Sequence, residues 1–320
     1  MGKTYHEVLD EMGIDVEFIC DIKKEIKHEK VFESYKDALD SKSIEGVIVT
    51  TYGPSHYEIV KYAIAKKIKY IVCEKPFTTS VTNAVDITER LKKCDTRLTI
   101  GYLRRFSDIY SSLLKKLYEE KIIGNIQTVT ITSGAGGIST LGTHFIDLST
   151  LLLSEKIKSV FAISINKNHP NPRGEDFEDP GGYFMLNFEN EKRAFIDMGD
   201  DLGLQPKIEI IGTFGRIEIN EINKKIIGYA RNKQDQEKPM KFYGLENRII
   251  INETFDLESI NLLIKNMIKN LISKDDLKMT AEVAKEKVEV YSAIRKSFDT
   301  GENVFLPLKD AYYDKEFMVT

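Results

Sequence analysis

The chain has 320 residues, 42% hydrophobic and 30% charged, with a net charge of −4. That length accommodates two domains with cores of their own, at ~100–200 residues per domain. The slightly acidic balance gives no electrostatic reason to expect nucleic acid or a membrane surface as partner.

In chain order, residues 3–12 read as a helix closed by Gly13 in the C′ position. Residues 16–20 read as a strand that ends at Asp21. A charged stretch follows, in which Lys23, Lys24, Lys27 and Lys30 share space with Glu25 and Glu29, the pattern of a solvated helix face. A short helix starts at Tyr35, and residues 46–50 form a second buried strand. Gly53-Pro54 turns the chain into a helix that starts near Ser55. Residues 70–73 are a third strand, 80–93 a helix and 97–101 a fourth strand. Strands and helices alternating over short connections predict a parallel sheet with right-handed crossovers for residues 1–102.

The pattern changes in residues 103–320. A helix over 109–120 leads into strand-like runs at 126–133, 158–165, 182–188, 193–198, 207–211, 215–220 and 225–230. Tight turns carrying Gly or Asn separate several of them, so this half reads as a mostly antiparallel sheet, with one helix at 143–153. Asp-Pro-Gly-Gly at 179–182 reads as a turn, and 166–180 as a polar loop that carries His169 and Arg173. Two helices, 256–272 and 279–298, close the chain. Cys20, Cys73 and Cys94 are odd in number and lack CxxC spacing. They argue against a disulfide framework or a metal site and for a reducing, cytoplasmic compartment. No apolar run approaches the ~20 residues of a membrane span.

The stretch Tyr70-Ile71-Val72-Cys73 ends abruptly in Glu74-Lys75-Pro76. Ligands of open α/β sheets sit just beyond the carboxyl ends of the strands. There Lys75 is either a desolvated proton donor and acceptor in a cleft, or a surface lysine paired with Glu74. At the start of the chain only Met1 and Gly2 precede the helix. Gly2 stands where the last glycine of a G-x-G-x-x-G phosphate turn would stand. Asp21 lies about twenty residues on, where an acid hydrogen-bonds an adenosine ribose; a lone acid after a strand also serves as a turn residue. The strand and the first two glycines of such a fingerprint are missing, so the chain is expected to be an N-terminally shortened form of a longer protein.

Four segments, taken together, resemble the Gfo/Idh/MocA family of NAD(P)-dependent oxidoreductases. Thr50-Thr51-Tyr52-Gly53-Pro54-Ser55-His56 looks like its Thr-Pro-x-x-x-His segment with the proline displaced. Glu74-Lys75-Pro76 matches its Glu-Lys-Pro signature, and residues 101–106 (Gly-Tyr-Leu-Arg-Arg-Phe) resemble its Gly-aromatic-x-Arg-Arg-Phe segment. Residues 136–148 look like its Gly-Gly-x-x-x-Asp-x-Gly-x-His-x-x-Asp motif, with His144 at the histidine position. The resemblance implies a Rossmann domain followed by a domain with an open antiparallel sheet that commonly mediates dimers or tetramers. It implies hydride transfer between NAD(P) and a hydroxyl-bearing carbon of a sugar, polyol or nucleotide sugar. Lys75 would be the acid/base, often before a cis proline, and His144 would bond the reacting hydroxyl or share its proton. Gly2, Asp21, Thr50, His56, Glu74, Lys75 and Pro76 are the implied cofactor residues, and Tyr102, Arg104, Thr140 and His144 the substrate residues. Asp21 favours NAD over NADP, because an acid there repels a 2′-phosphate.

One position departs from the pattern. Thr140 stands where the family often has Asp; it can hydrogen-bond a hydroxyl but cannot accept a proton at neutral pH. Acid–base chemistry is therefore expected of Lys75 and His144. The competing expectation is a non-catalytic paralogue that binds a sugar or serves as an assembly subunit.

Overall fold

The computed structural model describes residues 1–22, 28, 30–134, 136–165, 174, 177–203, 206–238, 247–256 and 258–319. Lys23, Lys24, Lys27, His169 and Arg173 lie outside the described residues. The chain divides into two compact units: Met1–Phe106, Ser259–Val288 and Tyr313–Thr320 form the first, and Ser107–Glu258 and Glu289–Tyr312 the second.

The first unit begins with α1 (Gly2–Glu11), β1 (Ile19–Cys20), β2 (Val31–Phe32) and α2 (Tyr35–Ser41). It continues through β3 (Gly46–Val49), α3 (Gly53–Ala65), β4 (Tyr70–Cys73), α4 (Val81–Leu91) and β5 (Arg97–Ile100). β1 and β2 pair in parallel. β4 is the middle strand of a second parallel sheet, with Tyr70 opposite Gly46 on one side and Arg97 on the other. Ile71, Val72 and Cys73 are all buried, as a strand covered on both faces requires. The Gly53-Pro54 pair, expected to be a turn ahead of a helix, is the first turn of α3 itself. Proline is at home there, because the first amides of a helix have no intrahelical acceptor to lose.

The second unit carries α5 (Asp108–Tyr118), β6 (Ile126–Thr132), a π-helical turn (Gly137–Gly142) and α6 (Thr143–Leu153). Then come β7 (Ile157–Ser164), β8 (Gly182–Phe188), β9 (Arg193–Met198), β10 (Lys207–Gly212), β11 (Gly215–Asn220), β12 (Lys225–Arg231) and β13 (Asn247–Thr254). Next in sequence are α7 (Ile260–Ile272) and α8 (Ala281–Thr300), and last β14 (Val304–Phe305). Nine strands form one sheet in the order β13-β12-β11-β10-β6-β9-β8-β7-β14. Every neighbouring pair is antiparallel except β6 and β9. On β8 and β9 buried residues alternate with less buried ones, which is the period of a sheet with one face on the core. The helix side is tied down at Ser297 of α8, whose hydroxyl accepts the Ala162 amide of β7 at 2.8 Å.

A chain division at 102/103 assigns everything after it to the second domain. The core contacts place 259–288 differently. Ile264, Met267, Ile268 and Leu271 of α7 belong to the same apolar cluster as Ile71, Val72, Leu98 and Ile100. Arg97 Nε also donates to the Leu271 carbonyl at 2.8 Å. Helical periodicity marks a buried face but does not say which sheet it covers. Among the described residues, no helix is long and apolar enough to cross a membrane.

Candidate active site

β4 runs straight into Glu74, Lys75 and Pro76. Glu74 turns inward and is only 7% exposed. Its Oε1 accepts the Tyr5 hydroxyl at 2.7 Å and its Oε2 accepts the Lys75 amide at 3.2 Å. Gly101, just past β5, lies against the same carboxylate; a Cβ there would come within 2.9 Å of both oxygens. Burial, with the adjacent Glu74 charge and hydrogen bond, pushes the Tyr5 phenol well above its ordinary pKa. Tyr5 is therefore a fixed neutral donor to a buried acceptor, the arrangement that spares a carboxylate the cost of burial.

Pro76 is gripped from the other side by α3. His56 is fully buried; its Nδ1 lies 2.7 Å from the Pro76 carbonyl and its Nε2 3.0 Å from the Thr51 carbonyl. Burial lowers its pKa, against the pull of the two carbonyls. A neutral imidazole carries one N–H, so it donates to one of the two carbonyls at a time. With both ring nitrogens facing backbone, His56 holds the loop, which differs from the direct cofactor contact expected of it. A Cβ on Gly53 would come 3.1 Å from Pro76 Cγ, so α3 and the proline ring meet closely. The Lys75–Pro76 bond is cis. Lys75 itself is half-buried, between two neighbours that are each fixed.

The remaining residues expected to meet a dinucleotide lie in the same unit. Gly2 starts α1, where a Cβ would approach Thr50 Oγ1 to 3.1 Å and where no side chain caps the first turn. Asp21 follows β1, and its amide donates to the Phe32 carbonyl at 3.0 Å. A bare, uncapped helix start beside Thr50 and an acid after the neighbouring strand fit the phosphates and ribose of NAD. Tyr102, expected to touch substrate, is 1% exposed and part of the first unit's core. Arg104 is half-buried in the short 3₁₀ turn Leu103–Phe106.

In the second unit, Thr140 is exposed in the π-helical turn and His144 is half-buried on the first turn of α6. The Ser139 and Thr140 amides donate to the two oxygens of Asp179 at 2.6 and 2.9 Å. Burial pushes the Asp179 carboxyl above its ordinary value, while hydrogen bonds led by Thr140 pull the other way. Tyr5 and Asp179 are neighbours of the expected site residues that sequence reasoning missed. Tyr5 shares an apolar helix face with Val8, and Asp179 sits in a sequence that reads as a turn; spacing links neither to its partner.

Two family models match this chain. One, described as an oxidoreductase family with an NAD-binding Rossmann fold, covers residues 7–102. The other, a GFO/IDH/MocA C-terminal domain, covers residues 127–218. The chain belongs to the Gfo/Idh/MocA family of oxidoreductases, whose first domain binds NAD. It is 24% identical to a myo-inositol 2-dehydrogenase of Thermotoga maritima over 89% of this chain and 87% of that one. Against an inositol 2-dehydrogenase/D-chiro-inositol 3-dehydrogenase of Lactiplantibacillus plantarum it is 25% identical over 65% of this chain and 64% of the relative. In fold it is similar to the WlbA dehydrogenase of Bordetella pertussis, solved with NADH and UDP-GlcNAcA. The TM-score is 0.73 at 18% identity, over 96% of each chain.

Proposed function

We propose that this protein oxidises a secondary hydroxyl of a cyclic polyol of the inositol class with NAD, and runs the reverse reduction. The observation that carries this is the fixed loop at the end of β4. Glu74 is held by Tyr5 and Gly101, and Pro76 by His56 and Gly53, so the lysine between them is presented on a rigid frame. Positioned acid–base groups contribute ~10²–10⁴ in rate, and only where their geometry is set. The inositol dehydrogenases among the relatives support the substrate class.

NAD, when bound, supplies the hydride acceptor. Gly2 and the first amides of α1 would hold its phosphates, Thr50 would line the same end of the sheet, and Asp21 would hold a ribose hydroxyl. Lys75 Nζ takes the proton of the substrate hydroxyl in the oxidation and returns it in the reduction. Thr140 and His144, with Arg104, are assigned to hydroxyls of the polyol. The outer face of the nine-stranded sheet is assigned to self-association, and the free cysteines support a reducing, cytoplasmic setting.

The test is NADH formation from a panel of inositols, sugars, acyclic polyols and nucleotide sugars, run beside NAD titration by fluorescence. Turnover confined to cyclic polyols is the expected result. NAD or polyol binding with no turnover on any substrate points to a binding subunit instead. Lys75→Ala is expected to lower kcat by about 10²–10⁴ while the Kd for NAD changes little. Retained turnover would remove Lys75 from the mechanism.

A further inference from the structure

Helix starts ordinarily satisfy their open amides with a Ser, Thr, Asp or Asn a few residues upstream. The start of the helical stretch that carries Thr140 and His144 does not. Its acceptors come from some forty residues later in the sequence. Ile138 donates its amide to the Pro180 carbonyl at 3.2 Å, and Ser139 and Thr140 donate theirs to the two oxygens of Asp179. Three successive amides are thus held by two successive residues just ahead of β8.

The clamp is built into the chain on both sides. Gly137 has φ +65, and an added Cβ would fall 2.1 Å from the Asp179 carboxylate, so only glycine leaves room for it. On the far side Glu178 is tied to α8, where Arg295 Nη2 lies 2.6 Å from Glu178 Oε2 and Nη1 donates to the Tyr291 hydroxyl at 3.1 Å. Downstream, the Thr143 hydroxyl donates to the Ser139 carbonyl at 3.0 Å. The residue whose amide Asp179 accepts is therefore the residue whose carbonyl fixes Thr143, and His144 is next in the chain. A two-oxygen carboxylate clamp sets both the height and the rotation of the turn, which a single-point cap does not.

We propose that Asp179 is a positioning residue: by holding the Ser139–Thr140 peptide pair it sets where Thr140 and His144 stand toward the substrate. This rests on the polyol dehydrogenase reading given above. In that reaction a displacement of the order of 1 Å in a positioned group costs about a hundredfold in rate.

Asp179→Asn keeps the shape of the side chain but faces one of the two amides with an NH₂ group, and Asp179→Ser keeps one acceptor. Each is compared with wild type by polyol turnover, NAD binding and NMR of the histidine rings, with His144 assigned through His144→Gln. The expected result is a ten- to hundredfold fall in kcat, an unchanged Kd for NAD, and displaced ring signals and titration midpoint of His144, with those of His56 unmoved. Unmoved His144 signals in both variants, whatever happens to kcat, would overturn the proposal and leave Asp179 a cap for stability alone. If the wild-type protein turns over no polyol, the functional reading fails by itself. The His144 displacement then decides the clamp independently.

Discussion

Tyr5 and Glu74 show how much a single pair of side chains sets at the candidate site. Glu74 is a buried carboxylate at a strand end, and the Tyr5 hydroxyl offers it a fixed side-chain donor at 2.7 Å. Removing one partner of a buried hydrogen bond leaves the other to bear its desolvation, at ~1–3 kcal/mol. Tyr5→Phe is therefore expected to lower the thermal midpoint, and a midpoint equal to wild type would show the bond to contribute nothing. The pH dependence carries a sign of its own. The Tyr5 pKa is raised above its unfolded value of 10.0. Its contribution to stability is thus complete below about pH 10 and is lost as pH climbs toward the folded value. Urea unfolding across the alkaline range should show a steeper decline in wild type than in Tyr5→Phe, which keeps the contributions of Tyr118 and Tyr291, whose pKa values are also raised. None of this is legible in the sequence, where Tyr5 and Glu74 are 69 positions apart.

Among the elements, local chemistry was readable and distant pairing was not. The strands at 70–73, 182–188 and 193–198 are found at those bounds, because apolar runs and alternation are local signals. β13 was missed. Its three isoleucines stand in a row between Arg248 and Asn252, with neither alternation nor helical spacing, and only pairing with β12 makes them a strand. The π-helical turn was missed for the same reason, since the acceptors of its first amides lie at 179 and 180. Gly101 is a further case of distant constraint. It reads as the end of a strand, yet its hydrogen is what lets the Glu74 carboxylate lie against β5. Gly101→Ala puts a methyl 2.9 Å from both oxygens of a buried group. Overpacking of that kind costs ~1–3 kcal/mol. The expected outcome is a lower thermal midpoint together with a fall in kcat, since displacing Glu74 moves the Lys75 amide bonded to it. A fall in midpoint with full turnover would separate the frame from the catalysis.

The nine-stranded sheet has one face on the helices, and the other carries a largely apolar row that is part-exposed among the described residues. Thr130, Phe195, Met185 and Phe161 stand in register across β6, β9, β8 and β7, with Tyr183 and Ile163 in the adjacent row. Ile163, Tyr183 and Phe195 are 39%, 42% and 41% exposed. A contiguous apolar patch of this sort marks an association surface. A second copy of the same sheet offers the like surface that a two-fold interface needs. Central aromatic residues carry most of the energy at such contacts, at ~2 kcal/mol or more each when truncated. If two copies associate through this face, as proposed, Phe195→Glu places a charge in the middle of the row and should raise the Kd of association by about thirtyfold or more. Its side chain faces away from the core, so the monomer's own stability should shift by no more than about 0.5 kcal/mol. Sedimentation equilibrium across a concentration series separates the outcomes. A wild-type mass above the monomer that falls toward it in the variant supports the sheet face as an association surface, and a monomeric wild type or an unchanged mass distribution counts against it.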